Sequence, residues 1–287
     1  MTKTKFSTVS ALVLGLGIAT CGVASAQSVT NSWNFGDITP TGACVEATTN
    51  AGNFGNRFGC SVQPAGTVAN LTVAAYANTG TGGVFAAANV GYNGTGSGYG
   101  VKNQSEGLLV SAPDHALDNN SSTDLLYLNF STGSVALQSL TIGYNNGGDA
   151  DMSILRWAGT GAPSTALTSS TVTNLTSSGW VLVSTVSNVA VNSETSFNSG
   201  ATPATSSYWL ISAFNSAYGT AGDSYTDYMK VLAIGAKFTS CVGTGTVPNS
   251  CVPTNATVPE PASMALVGLA LLGAVGARRR SIKAVAA

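Results

Sequence analysis

Charge is what this sequence has least of. Asp, Glu, Lys and Arg make up 8% of its 287 residues, and His115 is its single histidine. Hydrophobic residues reach 44%, which excludes disorder of the charge-rich, apolar-poor kind. No cysteine pair has the CxxC spacing of a zinc site, and no histidine stands near one to complete a ligand set. No serine sits in a G-x-S-x-G elbow. No acidic run closes a twelve-residue EF-hand loop with glutamate. Long helical periodicity and fixed-period repeats are missing too. The 34 glycines that are present, among many Ser, Thr and Asn, suit a turn-rich β protein.

The first residues read as an export signal. Lys3 and Lys5 form a positive start, residues 11–19 (ALVLGLGIA) an apolar stretch, and Ala24-Ser25-Ala26 a small-residue cleavage site. Signal peptidase would remove residues 1–26. The apolar stretch is too short to span a membrane, and Thr20 before Cys21 disfavours lipidation. Removal of Cys21 leaves Cys44, Cys60, Cys241 and Cys251. An even count in an exported chain predicts disulfides, with three connectivities open. Sequence-local pairing, Cys44–Cys60 and Cys241–Cys251, is the simplest, and the first loop would contribute on the order of 3 kcal/mol.

Near the other end, residues 258–280 (VPEPASMALVGLALLGAVGARRR) join a Pro-Glu-Pro turn to an apolar run and an arginine cluster. As a helix, residues 262–277 would span ~24 Å, and flanking side chains can snorkel across the rest of a ~30 Å hydrocarbon core. Arg278, Arg279 and Arg280 would stay cytoplasmic under the positive-inside rule, leaving the bulk of the chain outside the inner membrane. Pro259 and Pro261 hold their segment extended, where a protease can reach it. These three parts, in this order, resemble the PEP-CTERM sorting signal. That resemblance implies recognition of Pro259, Glu260 and Pro261 by an exosortase, an integral-membrane cysteine protease-transpeptidase of exopolysaccharide-producing Gram-negative bacteria. It implies transient anchoring, cleavage near the motif, and release or attachment at the surface. The sorting signal would occupy residues 258–287.

Residues 27–257 would form the extracellular domain. Five cations (Arg57, Lys102, Arg156, Lys230, Lys237) against eleven acids give 5 − 11 = −6, which argues against nucleic acid as a partner and against anionic polymers held by charge alone. Short runs rich in β-branched and aromatic residues recur at 71–76, 84–90, 124–130, 135–144, 152–157, 180–186, 208–214 and 229–238, separated by Gly, Asn and Ser clusters. In the last, Leu232, Ile234, Ala236 and Phe238 fall on one face at period two. This pattern predicts an all-β domain, an antiparallel β-sandwich of jelly-roll type. Residues 91–100 (GYNGTGSGYG) read as a flexible loop or glycine-rich turn. Segments 112–119, 124–126, 140–144, 149–154 and 227–232 resemble a block recurring in exosortase-dependent surface proteins, which carries no activity over to this chain.

Asp114, Asp118, Asp149, Asp151 and Asp227 are hard oxygen donors beside predicted strands, as calcium requires. Asp118 and Asp151 are the leading calcium ligands. Capping of turns by these aspartates is the competing reading. His115 beside Asp118, with Ser111 or Ser121, would make a hydrolytic site only with a nucleophile in reach, and no motif supplies one; the chain reads as a non-enzyme. Trp33, Trp157, Trp180 and Trp209, with Tyr92, Tyr99, Tyr218 and Tyr225 in glycine-rich loops, are candidate sugar contacts; Trp180 and Trp209, within strands, suit a core instead, and the loop tyrosines are the better candidates. Sequons such as Asn70-Leu71-Thr72 and Asn129-Phe130-Ser131 arise by chance in so Ser/Thr/Asn-rich a chain. Three functions follow in order: a structural or adhesive surface protein associated with exopolysaccharide, a calcium-dependent carbohydrate-binding module, and a secreted hydrolase.

Overall fold

The computed structural model describes residues 27–36, 44–48, 54–62, 69–92, 94–106, 115–131, 133–147, 149–160, 163–220, 223 and 225–240. The expected signal peptide, transmembrane helix 262–277, Cys241, Cys251, Pro259, Glu260, Pro261, Arg278, Arg279 and Arg280 lie outside them. Packing divides the chain into units 1–246 and 247–287, and every described residue belongs to the first. Among the described residues no helix is long and apolar enough to cross a membrane.

Fourteen strands follow one another: β1 (Gln27–Asn34), β2 (Cys44–Thr48), β3 (Arg57–Val62), β4 (Ala69–Ala77), β5 (Ala86–Tyr92), β6 (Tyr99–Lys102), β7 (Leu117–Asp118), β8 (Asp124–Phe130), β9 (Val135–Asn145), β10 (Met152–Trp157), β11 (Trp180–Val186), β12 (Glu194–Ser196), β13 (Tyr208–Ala213) and β14 (Tyr228–Ser240). One five-residue helix, α1 (Ser164–Thr168), and two 3-10 turns at 172–174 and 176–178 lie between β10 and β11. Each of the eight apolar runs is a strand, and those at 124–130, 152–157 and 180–186 match residue for residue. Where a flexible loop or glycine-rich turn was expected, residues 91–92 close β5 and 99–100 open β6, with Gly94 and Gly98 between them at positive φ of 98° and 82°.

Every strand pairing is antiparallel, but the strands do not separate into the two sheets of a jelly-roll sandwich. They form one fourteen-stranded sheet whose main path is β11-β10-β13-β8-β4-β5-β6-β14-β9-β12. The cause is β5. Its residues 86–88 pair with β4, and its residues 89–92 pair with β6, so one strand carries the hydrogen bonding from one arm into the other. The small side chains of Ala86, Ala87, Ala88 and Gly91 suit such a bend.

The sheet curls so that both arms feed one core. Leu71, Leu128, Ile154 and Trp209 from one arm cluster with Trp33, Leu140, Val231 and Ile234 from the other. Trp33 of β1 meets Phe130 of β8 edge-on at 5.3 Å between ring centroids. A second cluster, including Leu125, Leu155, Leu210 and Trp180, fills the outer face where Leu167 and Leu175 of the 164–178 segment cover it. Each such side chain contributes roughly 1.5–3 kcal/mol on burial. Cys44 and Cys60 face each other in the β2–β3 ladder and form a disulfide, as expected.

The period-two face predicted for β14 is interrupted. Ladder pairing with β9 passes from Val231–Ile142 to Ala233–Thr141, so Leu232 is an extra residue, a β-bulge. Buried positions change parity across it: Met229 and Val231 below, Ile234 and Ala236 above. One edge of β14 carries β9. The other carries β7, β6 and β1 in turn, which sets Asp118 of β7 opposite Tyr228.

Candidate metal centres

The two leading calcium ligands do not share a site. Each anchors its own group of three acids: Glu106, Asp118 and Asp124 in one, Asp149, Asp151 and Asp227 in the other. Within each group the closest carboxylate oxygens all lie within 4.8 Å of one another. Two oxygens on one calcium ion, each about 2.4 Å from it, can be no farther apart than that. Both groups could therefore hold a metal.

The second group joins the β9–β10 turn to the residue that precedes β14. Asp151 accepts hydrogen bonds from the Asn188 amide at Oδ1 (2.7 Å) and the Asp223 amide at Oδ2 (3.0 Å). Asp227 accepts from the Asp151 amide (2.7 Å) and from Asn119 Nδ2 (2.7 Å), and its own amide donates to Asn119 Oδ1 (2.9 Å). These contacts are the turn-tying role of aspartate. Asp149 differs: both its oxygens are shielded from solvent and lack a well-formed hydrogen bond, the Ala150 amide beside them favouring the charged form only weakly. Burial and the Asp223 and Asp151 charges push its carboxyl above the usual range. Burial, aided by Asp151 and Asp149, pushes Asp227 up to about 7 against the bonds from Asp151 and Asn119. Three close carboxylates without enough donors are the electrostatic condition a divalent cation relieves.

The first group likewise has two buried acids and one half-buried. Asp124, at the head of β8, is fully buried. Its Oδ1 accepts from Asn103 Nδ2 (3.0 Å), while Oδ2 has no partner. Burial, then the Asp118 charge, push its carboxyl well above the ordinary range, with Glu106 adding to the rise. Asp118 Oδ1 accepts from the Asn120 amide (2.9 Å), and Glu106 Oε2 accepts from the Asn103 amide (2.8 Å). Asn103 is fixed in turn by Ser122 Oγ, to which it donates, and by Ser105, which donates to its Oδ1. Asn119, next to Asp118, bonds Asp227, so adjacent residues tie the two groups together.

Sequence reasoning named Asp118, Asp149, Asp151 and Asp227 as donors but missed Glu106 and Asp124. Glu106 ends a Gly/Ser-rich stretch that masks it. Asp124 reads as the edge of an apolar run, and only the β7–β8 geometry turns it inward. Asp114 and Ser111 lie outside the described residues. His115 is buried in the left-handed region at φ 68°. The β5–β6 hairpin packs on it so tightly that a Cβ at Gly100 would collide with its carbonyl oxygen. Ser121 is exposed, also with positive φ.

The aromatic expectation needs correction. Trp180 and Trp209 are buried as expected, but Trp33, a candidate sugar contact, is buried too, and Trp157 is half-buried. Tyr99, expected in a loop, is buried in β6 and stacks on Phe35 at 4.7 Å. Tyr218 is buried as well, and Tyr92 is half-buried with its hydroxyl donating to the Gly36 carbonyl. Of the four candidate tyrosines only Tyr225 stands open, at 72% exposure.

Residues 257–280 match the model of the PEP-CTERM protein-sorting motif, the segment in which the sequence places Pro259, Glu260, Pro261 and the three arginines. Neither a curated protein nor a solved structure matches the chain.

Proposed function

We propose that this chain is an exported surface or extracellular-matrix protein, sorted and processed by an exosortase through residues 257–280, with a structural or adhesive role beside exopolysaccharide. The match to the sorting motif carries this reading and supports export with processing at the membrane. On this account signal peptidase removes residues 1–26, a helix at 262–277 holds the chain transiently in the inner membrane, and the β domain works outside. A curled sheet closed on its own core, with a disulfide in its β2–β3 hairpin, suits exposure to an oxidising exterior. The test is replacement of Pro259, Glu260 and Pro261 by alanine in the producing bacterium. Loss of surface protein and accumulation in the membrane fraction support the reading; unchanged surface display contradicts it.

A second reading, a calcium-dependent module, is favoured by the unpartnered Oδ2 of fully buried Asp124 inside its group of acids. Calcium would be structural, taking Glu106, Asp118 and Asp124 as ligands, with Asp149, Asp151 and Asp227 as a second set. Calorimetric titration with Ca²⁺ after EDTA treatment tests it. Heat of binding supports the reading, and a flat titration contradicts it.

A further inference from the structure

The outer face of the sheet is only partly covered. Leu167 and Leu175 of the 164–178 segment pack over the β8–β13–β10 region, and the cover stops short of β3 and the lower half of β4. What lies beyond follows from register. Along one row, Arg57 of β3 faces Ala74 of β4, which faces Tyr127 of β8. Along the next, Thr72 faces Asn129, which faces Tyr208 of β13. Ala74 and Thr72 are small and flanked by rings, so the rows enclose a trough of about 200 Å³ lined by Arg57, Thr72, Tyr76, Tyr127, Asn129 and Tyr208.

Its walls are aromatic. The rings of Tyr127 and Tyr208 lie nearly parallel, 24° apart with centroids at 6.1 Å, and Tyr76 stands edge-on to Tyr127 at 6.0 Å. Trp180 supports Tyr127 from beneath the covered part at 6.3 Å. Arg57 is exposed at the rim and forms no ion pair among the described residues, in a segment whose net charge is −6. Polar groups are interleaved with the rings: the Asn129 amide, the Thr72 hydroxyl and three phenols.

We propose that this trough binds one sugar unit of an acidic polysaccharide, a uronate whose carboxylate pairs with Arg57 and whose ring lies against the tyrosines. A pyranose presents an apolar C–H face and equatorial hydroxyls, which matches rings alternating with amide and hydroxyl groups. A guanidinium fork fits a carboxylate with two parallel hydrogen bonds, and in an otherwise acidic segment it selects for that charge. The volume falls below the roughly 300 Å³ at which pockets for drug-sized ligands begin, so the site takes a single ring of a chain that runs on across the sheet. This inference rests on the reading that the domain works outside the cell beside polysaccharide. It depends on Arg57 and the tyrosines, not on the sorting tail, so the two can fail separately.

The test uses the full chain in detergent, titrated by intrinsic fluorescence with trimers of galacturonate, glucuronate and mannuronate. A neutral galactose trimer and a proline-rich peptide complete the set, because a peptide would also stack on tyrosine. The expected result is at least tenfold tighter binding of one uronate trimer than of the neutral sugar. Arg57→Gln should abolish that preference while leaving neutral-sugar binding unchanged, and Tyr208→Ala should weaken both. Because Tyr208→Ala could disturb the sheet, Tyr208→Phe is measured beside it and should keep at least half of the affinity. Binding of no uronate, an undiminished uronate preference in Arg57→Gln, or tighter binding of the peptide than of every sugar would overturn the proposal.

Discussion

Asp124→Asn separates a calcium ligand from a turn-capping aspartate, because the two roles predict opposite signs. The side chain is fully buried, one oxygen is held by Asn103 Nδ2, and the other faces no donor. Without calcium, the wild-type group must either stay charged beside Asp118 and Glu106 or carry a proton against its ordinary preference. Either course costs folding free energy. Asparagine has the same shape, keeps the carbonyl acceptor for Asn103, and turns an amide donor toward the neighbouring carboxylates. Replacing an unpaired buried polar oxygen by a paired donor is worth about 1–3 kcal/mol. In EDTA at pH 7, Asp124→Asn is therefore expected to be more stable than wild type by that amount in urea denaturation. In millimolar Ca²⁺ the gap closes: wild type gains stability by mass action, about 2.7 kcal/mol at a hundredfold excess over Kd, and the variant gains much less. A variant less stable than wild type in EDTA, with an undiminished calcium response, would refute the reasoning.

Three further outcomes follow from the same geometry. Cys44→Ala with Cys60→Ala opens a loop of sequence separation 16 and should lower the urea-derived stability by about 3 kcal/mol; no change would mean that the unfolded chain is not restrained by the bridge. Gly100→Ala drives a Cβ into the His115 carbonyl, so the β5–β6 hairpin should separate from His115 and the melting temperature drop by several degrees; an unaltered melting temperature would contradict the packing. In EDTA, Asp227 binds its proton up to about pH 7 in the folded chain but only up to about pH 4 when unfolded. Its folded pKa is the higher one, so folding binds a proton between those limits and its contribution to stability falls as pH rises from about 4 to about 7. Urea midpoints across that window, compared with Asp227→Asn, should show a steeper decline for wild type; parallel curves would contradict it.

The strands were legible wherever apolar residues were dense. Runs such as DLLYLNF at 124–130 are apolar along nearly their whole length, so they need no register to be recognised. Strands β1 (QSVTNSWN) and β12 (ETS) were hidden because their polar sequences are held by pairing with β14 and β9, long-range contacts that no local pattern encodes. The bulge at Leu232 broke a correct period, since a single extra residue exchanges the two faces. The single curled sheet escaped notice because β5 divides its hydrogen bonds between two neighbours, and composition cannot report which partner a strand chooses. At the acidic groups, residue type was readable and partnership was not: Asp118 and Asp151 are both turn-forming aspartates, yet chain crossing assigns them to different groups. The trough tyrosines were invisible for the converse reason. Tyr127 looks like core within its strand, and only its cross-strand neighbours Ala74 and Leu210 show that it stands over a gap on one side.

The central claim is sorting through the tail, and the intact mass of the protein released from the cell surface tests it most directly. The account predicts a chain that has lost residues 1–26 and ends near Pro259-Glu260-Pro261, with Cys44 and Cys60 oxidised. A mass that still includes residues 262–287 would contradict it.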